Sequence, residues 1–230
     1  MTKTTSKLSS YFSSEVFSFL KGLERHNNRD WFEANKERFL TVARDPFLKF
    51  IADFEPHLTR ISSNFVADPR PVGGSLFRIY RDVRFSKDKR PYKATLGAHF
   101  QHQAAKSKES SVPGFYLHLQ SGKSFAAAGM WHPDAPALTK VREAIVKYPG
   151  DWKVVRSKLT IEGDSLTRPS RKFDPNHPFI EDIKRKDFIV TAALSDTQVE
   201  SPHFMEEYEA ICKKQVPLVK FLTKALGLPW

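Results

Sequence analysis

The chain has a single cysteine, Cys212, among its 230 residues. An intramolecular disulfide is therefore excluded, and so are zinc sites built from several thiolates. So little cysteine is typical of a protein in a reducing compartment, which predicts a cytoplasmic location. No apolar run approaches the roughly 20 residues of a membrane helix, and residues 1–12 lack the apolar core of a secretory signal. We therefore predict no membrane partner.

Sequence motifs for catalysis and for cofactors are also missing. There is no Gly-x-Ser-x-Gly nucleophile motif, no P-loop and no glycine fingerprint for dinucleotides. His118, His132 and Asp134 fall near one another in a predicted hairpin, but no HxH or HExxH spacing supports a metal site. The sequence predicts neither a metal nor a cofactor, and it leaves open whether the protein is an enzyme.

Positive charge, by contrast, is abundant. Lys and Arg number 37 against 26 Asp and Glu, which gives a formal net charge of +11. A field of this sign favours nucleic acid, acidic small molecules or an anionic surface as a partner. The charge alone does not distinguish such a partner from a soluble protein that happens to be basic.

Hydrophobic periodicity predicts helices at both ends of the chain and strands between them. Three N-terminal helices are predicted. The first covers residues 12–23, the second begins at a capping box formed by Asp30 and Glu33, and the third begins at Asp45, a cap before Pro46. Further helices are predicted over 135–147, 151–159 and 201–226, the last with an interruption at Pro217.

Alternating apolar residues predict the strands, which lie at 76–83, 95–103, 115–119, 125–131 and 188–194. Because helices and strands are segregated along the chain, the predicted class is α+β, with a central antiparallel sheet flanked by N-terminal and C-terminal helices. Residues 1–11 are predicted to be a loose tail, and residues 12–230 a single domain.

The segment 77–93, FRIYRDVRFSKDKRPYK, concentrates the basic residues. Arginine binds oxyanions in a fixed, two-pronged geometry, so the segment predicts an anion site. In a strand over 76–83, Arg78, Asp82 and Arg84 face one side, while Arg81 lies with the apolar residues. We therefore expect Arg81 to be the most buried arginine, and at least two of Arg78, Arg81 and Arg84 to reach one cavity.

The candidate site extends beyond these three arginines. The ligand-binding residues predicted from the sequence are Arg29, Arg78, Arg81, Arg84, Lys89, Tyr92 and Lys93. Asp82, Asp88 and Tyr92 are the candidates for acid–base catalysis. Arg29 is included because neither helix capping nor packing explains it.

Three functions are consistent with this site, and the first is the leading prediction. The first is binding of a small molecule that bears a phosphate or a carboxylate, and the second is binding of nucleic acid by the same basic face. In the third, the arginines only brace the fold through ion pairs. A small concave pocket would favour the first, and an extended basic stripe with exposed rings the second. The sequence gives no indication of oligomeric state.

The central motif also resembles that of a known family. Its residues are Arg78, Arg81, Asp82, Arg84 and Phe85, followed by Asp88, Lys89 and Tyr92. Together with residues 28–32 and the GMWHP stretch at 129–133, they resemble a mainly bacterial family of conserved hypothetical proteins, a domain of unknown function. The resemblance spans roughly residues 12–228. It implies a soluble single-domain protein and carries no activity, cofactor or ligand with it.

Overall fold

The computed structural model describes residues 10–107 and 110–230. The loose tail predicted for residues 1–11 lies almost wholly outside the described residues. The division of the chain into this tail and one domain over 12–230 stays a prediction.

The N-terminal part is helical, as predicted, but its caps differ. It comprises α1 (Ser14–Arg25), α2 (Arg29–Ala34), α3 (Lys36–Phe39), a π-helical turn (Leu40–Arg44) and α4 (Asp45–Ile61). Asn28 caps α2 instead of Asp30, because its side chain accepts a hydrogen bond from the Trp31 N–H at 2.9 Å. Asp45 does not cap α4 either, because the π-helical turn runs into it without a break and Arg44 has helical backbone angles.

The predicted antiparallel sheet is confirmed. Its strands are β1 (Leu96–Gln101), β2 (Gly114–Leu119), β3 (Ser124–Met130) and β4 (Phe188–Leu194), and they pair in the order β1-β2-β3-β4. One face buries alternate residues such as Phe100, Phe115 and Leu117. Phe100 packs on Phe54 of α4, with their ring centroids 4.8 Å apart. This face therefore closes the hydrophobic core, and we call the opposite one the outward face.

The C-terminal helices complete an α+β fold. They are α5 (Ala135–Lys147), α6 (Pro149–Lys158), α7 (Ile180–Ile183), α8 (Asp196–Val199) and α9 (Phe204–Ala225). Helix α9 packs on β3 and β4 and contacts α4, α5 and α6, so it forms the centre of the helical layer. The interruption predicted at Pro217 does not occur, because packing on all these elements holds α9 continuous through that residue. Among the described residues, no helix is long and apolar enough to span a membrane.

The strand predicted at 76–83 is wrong. Its backbone forms only isolated bridges, from Leu76 to Ala98 of β1 and from Tyr80 to Tyr92. The last bond to β1 is the one that the Phe77 N–H donates to the Gly97 carbonyl at 2.8 Å. Beyond it, residues 79–81 form backbone hydrogen bonds with residues 91–93 of the same segment. Residues 77–93 therefore form a closed loop at the edge of β1, which we call the arginine loop.

Candidate functional site

Two Asp-x-Arg units shape the arginine loop. In each, an aspartate oxygen accepts the backbone N–H two residues later: Asp82 from Arg84 at 3.2 Å, and Asp88 from Arg90 at 3.0 Å. Both oxygens of each carboxylate also accept from the same arginine's guanidinium. Such local side-chain bonds favour turns over strands, which explains why the predicted strand does not form.

The aspartates of these units are counter-ions for arginine. Hydrogen bonds from the Arg84 side chain and backbone lower the pKa of Asp82 to about 2. Those from Arg90 and Arg81 hold the pKa of Asp88 well below its usual range. Both carboxylates are therefore ionised at neutral pH, but so low a pKa makes each a weak general base, which weighs against the predicted acid–base role.

Three arginines of the loop form ion pairs, and Arg81 is the least exposed of them. Its guanidinium donates to Asp88 at 2.6 Å, and its side chain is 26% exposed, against 76% for Arg84. Exposed and less exposed side chains therefore still alternate along this segment, although it forms no strand. The prediction that Arg81 is the most buried arginine of the motif is confirmed, although outside the motif Arg142 of α5 is almost fully buried. Arg142 donates to the Arg185 carbonyl, a contact between distant segments that the sequence does not indicate.

Arg78 and Lys93 are the cations of interest in the loop, because neither is paired with Asp82 or Asp88. Arg78 is exposed and forms no ion pair with any residue of the described ranges. Lys93 is half-buried, with its amino group 5.3 Å from the centre of the Phe77 ring. Burial lowers the pKa of Lys93, and the positive charges of Arg78 and Arg81 lower it further. These three cations therefore create a positive potential where the loop meets the sheet.

The arginines line neither of two grooves in the described part of the chain. One groove, of about 580 Å³, lies along α1 and Trp31. The other, of about 290 Å³, lies between residues 66–75 and His99. Neither includes Arg78, Arg81 or Arg84, so the cavity expected around these arginines is not found there. The guanidinium groups lie instead on an open, solvent-facing loop.

The outward face of the sheet carries a cluster of rings beside this loop. Phe77 at the sheet edge, His99 of β1, Tyr116 and His118 of β2 and Phe125 of β3 are all partly exposed, and we call them the ring platform. Neighbouring centroids lie 4.6 to 6.4 Å apart, the shortest distance being that between His118 and Phe125. The cross-strand pairs His99–Tyr116 and His118–Phe125 assemble the cluster.

Two glycines make room for rings of this cluster on the strands. A Cβ atom at Gly97 would come within 2.3 Å of the Tyr116 hydroxyl, and one at Gly114 within 2.6 Å of Nε2 of His99. The Tyr116 ring therefore covers Gly97, and the His99 ring covers Gly114. The rings do not share one plane. Phe77 and His99 lie within 20° of parallel, and so do His118 and Phe125, whereas Tyr116 is inclined by 87° to His99.

Two polar members of the ring platform, Tyr116 and His118, are neutral at neutral pH. Burial raises the pKa of Tyr116 to about 12. Burial lowers the pKa of His118, an effect opposed by the hydrogen bond that Nε2 of His118 donates to Oε1 of Gln120. Both side chains are therefore neutral, and the Tyr116 hydroxyl lies 3.1 Å from Nδ1 of His118. Lys93 joins the ring platform to the cationic loop through its contact with Phe77.

The other predicted site residues lie around the loop with different roles. Tyr92 is buried, and its ring stacks on Phe32 with centroids 4.2 Å apart. The Lys89 amino group donates to the Val83 carbonyl at 3.0 Å and so closes the loop. Arg29 lies exposed on α2, close enough to Tyr92 for its charge to lower the pKa of that phenol, although burial raises it more. Tyr92 and Lys89 thus hold the loop together.

The sequence analysis did not find the ring platform. The alternation of Tyr116 and His118 with buried residues in β2 was a signal for two of its members. His99 and Phe125 join them only through strand register, which the sequence does not specify. Within residues 10–107 and 110–230, no group of three or more His, Cys, Asp and Glu side chains is arranged to hold a metal.

Comparison with known proteins identifies the family. The search of curated proteins found no match, and neither did the search of solved structures. Residues 15–221, however, match the family model described as conserved hypothetical protein, DUF2461. This match covers most of the chain, and the protein therefore belongs to the DUF2461 family of conserved hypothetical proteins.

Proposed function

We propose that the chain binds single-stranded nucleic acid, with bases on the ring platform and phosphates on the arginine loop. The observation that carries this proposal is the contact between a cluster of partly exposed rings and a cationic edge, made at Lys93 and Phe77. Proteins that bind single strands combine aromatic side chains, on which bases stack, with positive groups that follow the backbone. An open sheet face is one known support for such rings.

The shape of the loop favours a polymer over a small anion. A small molecule is the leading prediction from the sequence, on the expectation of a pocket around the arginines. The loop is open instead, and the side chains of Phe85 and Tyr80 are 94% and 46% exposed. An extended basic surface with exposed rings fits a nucleic acid strand, which needs contacts spread along its length.

Charge supports the same conclusion. Residues 77–93 carry seven Lys and Arg side chains and two aspartates, and both aspartates are already paired with arginines of the loop. The excess positive charge is therefore available to an external anion. Neutralising several phosphates releases condensed counter-ions, which makes such binding strong at low salt and steeply salt-dependent.

Fluorescence anisotropy with a labelled single-stranded oligonucleotide of about 12 nucleotides tests the proposal. Tyr116→Leu removes a ring but keeps apolar volume, and it should weaken binding by about 5–150-fold, the value of one stacked base. Arg78→Ala should reduce the slope of log K against log salt by about one unit. Tyr148→Leu and Lys153→Ala, on exposed positions of other elements, are the matched controls and should change neither quantity.

Two outcomes would overturn the proposal. One is an absence of binding at low salt. The other is binding that Tyr116→Leu and Tyr148→Leu weaken equally, because the platform would then have no special part in it. Thermal melts of all four variants should show that each remains folded.

A small anion is a second candidate, favoured by one observation. Lys93 is partly desolvated beside Arg78 and Arg81, so a single phosphate or carboxylate there would be attracted by three cations. Inorganic phosphate should then raise the pKa of Lys93, measured by NMR of its amino group, in a saturable way. If phosphate has no such effect while the oligonucleotide binds, the polymer is the favoured ligand. The cytoplasmic location stays a prediction, and the sequence leaves open whether the protein is an enzyme.

A further inference from the structure

Trp131 and His132 belong to the GMWHP stretch that the proposed function does not use. They follow β3 directly, beyond the pair that Met130 forms with Phe188 of β4. The arginine loop joins the sheet at Gly97, which pairs with His118, and His118 in turn pairs with Phe125 near the start of β3. The two features therefore lie at opposite ends of the sheet.

A buried carboxylate lies behind His132. Asp187 is 1% exposed, and its Oδ1 accepts from the His132 backbone N–H at 2.6 Å and lies 3.0 Å from Nδ1 of the same residue. Its Oδ2 accepts from the Asp164 N–H at 3.0 Å. No lysine or arginine in the described ranges pairs with it. The imidazole is therefore its side-chain partner, and the remaining donors come from the backbone of two loops.

The backbone around this pair adopts unusual conformations. His132 has φ 48°, the one positive φ of a non-glycine residue in the described part of the chain. Gly163 has φ 107°, and a Cβ atom there would lie 2.3 Å from the Cβ atom of Asp187. Non-glycine residues in left-handed conformations are maintained where the surroundings fix them, and they cluster at functional sites.

Hydrogen-bond chemistry sets what His132 offers to a ligand. Nδ1 of His132 lies 3.0 Å from a carboxylate oxygen, which only accepts, so the tautomer with the proton on Nδ1 is the one that avoids repulsion between lone pairs there. In the neutral imidazole, Nε2 is then an acceptor, and among the described residues it has no hydrogen-bond partner. The His132 side chain is 58% exposed, so solvent and ligands reach this atom.

Trp131 adds a flat apolar surface at the same place. It is 72% exposed, and its ring stacks on that of His132 with centroids 4.2 Å apart and planes 28° apart. A donor to Nε2 lies in the plane of the imidazole. A planar ligand that donates in this plane is consequently inclined by 28° to the indole, which is the adjacent apolar surface.

We propose that Trp131, His132 and Asp187 form a second binding site, for a heteroaromatic ring of the nucleobase type that carries an N–H donor on its edge. Trp131 supplies the stacking surface, Nε2 of His132 accepts the N–H, and Asp187 fixes the tautomer. The site needs no phosphate and lies away from the arginine loop, so it does not rest on the proposed function.

A purely structural role explains less. Asp187 ties the loop at His132 to the loop at Asp164, and this accounts for its burial and for Gly163. It leaves unexplained the largely exposed indole of Trp131 and the acceptor of His132 that faces solvent. Both are explained by a stacked ligand with an edge donor.

Adenosine and N6,N6-dimethyladenosine are matched probes, because the second keeps the ring but lacks the amino donor. Titrations of the full chain, followed by NMR of tryptophan indole N–H and histidine ring signals, should show adenosine shifting the signals of Trp131 and His132. Adenosine should bind about fivefold more tightly than its dimethyl analogue, the value of one hydrogen bond. Trp131→Ala should abolish binding. His132→Asn, whose new side chain tolerates the left-handed backbone, should remove the preference for adenosine.

The control variant is Tyr148→Leu, an exposed ring on another element, which should bind both nucleosides like the unaltered chain. Thermal melts check that each variant is folded. Absence of shifts at Trp131 and His132 with millimolar adenosine would overturn the proposal. Equal affinity for the two nucleosides would also overturn it, because His132 would then accept no hydrogen bond from the ring. Because free nucleosides carry no phosphate, neither result depends on the arginine loop.

Discussion

The side chain of Asn27 pairs with the backbone of Tyr92 as a neighbouring strand would. Its Nδ2 donates to the Tyr92 carbonyl at 3.1 Å, and its Oδ1 accepts from the Tyr92 N–H at 3.0 Å. Asn27 lies between α1 and α2, 65 positions before its partner in the sequence. This contact, with the stacking of Phe32 on Tyr92, fixes the arginine loop to the N-terminal helices.

Asn27→Ala should destabilise the fold, because it leaves the N–H and the carbonyl of a buried residue without their partners. The expected loss is roughly 1–3 kcal/mol in the free energy of unfolding, measured by urea denaturation. Asn176→Ala, in an exposed loop, is the control and should change the free energy by less than about 0.5 kcal/mol. Equal effects of the two substitutions would contradict a supporting role for Asn27.

Gly97→Ala should impair oligonucleotide binding more than it impairs folding. The new Cβ atom would overlap the Tyr116 hydroxyl, so this ring must move away from the strand and its contacts with the other platform rings change. Anisotropy titrations and thermal melts measure the two effects. Gly150→Ala in α6, where a Cβ atom meets nothing within 4 Å, is the control and should leave binding unchanged. Unaltered binding by Gly97→Ala would show that the orientation of Tyr116 is irrelevant.

Arg81→Ala should lower the melting temperature more than Arg84→Ala. The Arg81 side chain is largely buried and bonds Asp88 across the loop, whereas Arg84 is mostly exposed and bonds Asp82 within its own turn. Exposed pairs contribute little to stability because water solvates both partners. Thermal melts of both variants decide the order, and the reverse order would mean that the loop does not depend on the pair of Arg81 with Asp88.

Glu209 should make stability depend on pH in the acid range. Its carboxylate lies 2.7 Å from Lys213 and 2.6 Å from Nδ1 of His57, which links α9 to α4. Burial raises the pKa of Glu209, but hydrogen bonds from Lys213 and His57 outweigh it and lower the pKa to about 2. Since the folded pKa lies below the ordinary value of 4.5, the contribution is complete above pH 4.5 and is lost as pH falls toward 2.

The test compares Glu209→Gln with the unaltered chain across this range. The difference in unfolding free energy should be about 1–3 kcal/mol above pH 4.5 and should shrink toward zero near pH 2. Glu143→Gln, an exposed glutamate of α5, is the control and should give a small difference at every pH. A difference for Glu209→Gln that does not change with pH would rule out the ionised carboxylate as its source.

Local patterns in the sequence determined most of the secondary structure and the fold class. The alternation at Phe115, Leu117 and Leu119 predicted β2, and the apolar spacing of residues 135–147 predicted α5 with its observed bounds. Such periodicity reports which residues are buried, and burial is what these elements provide. The same reasoning placed Arg81 with the less exposed residues, even where the strand was absent, because an extended chain also alternates its side chains.

Only the tertiary structure decided how the candidate sites are assembled. Asp82 and Asp88 turned an expected strand into a loop, because each carboxylate bonds the backbone and the guanidinium of an arginine two residues away. Strand pairing brings His99 into contact with Tyr116. Loop closure between distant segments brings Asp187 into contact with His132. The basic composition, the arginine motif and the fold class follow from the sequence. The ring platform and the buried partner of His132 depend on long-range register, which the packing of the whole core selects and no local pattern encodes.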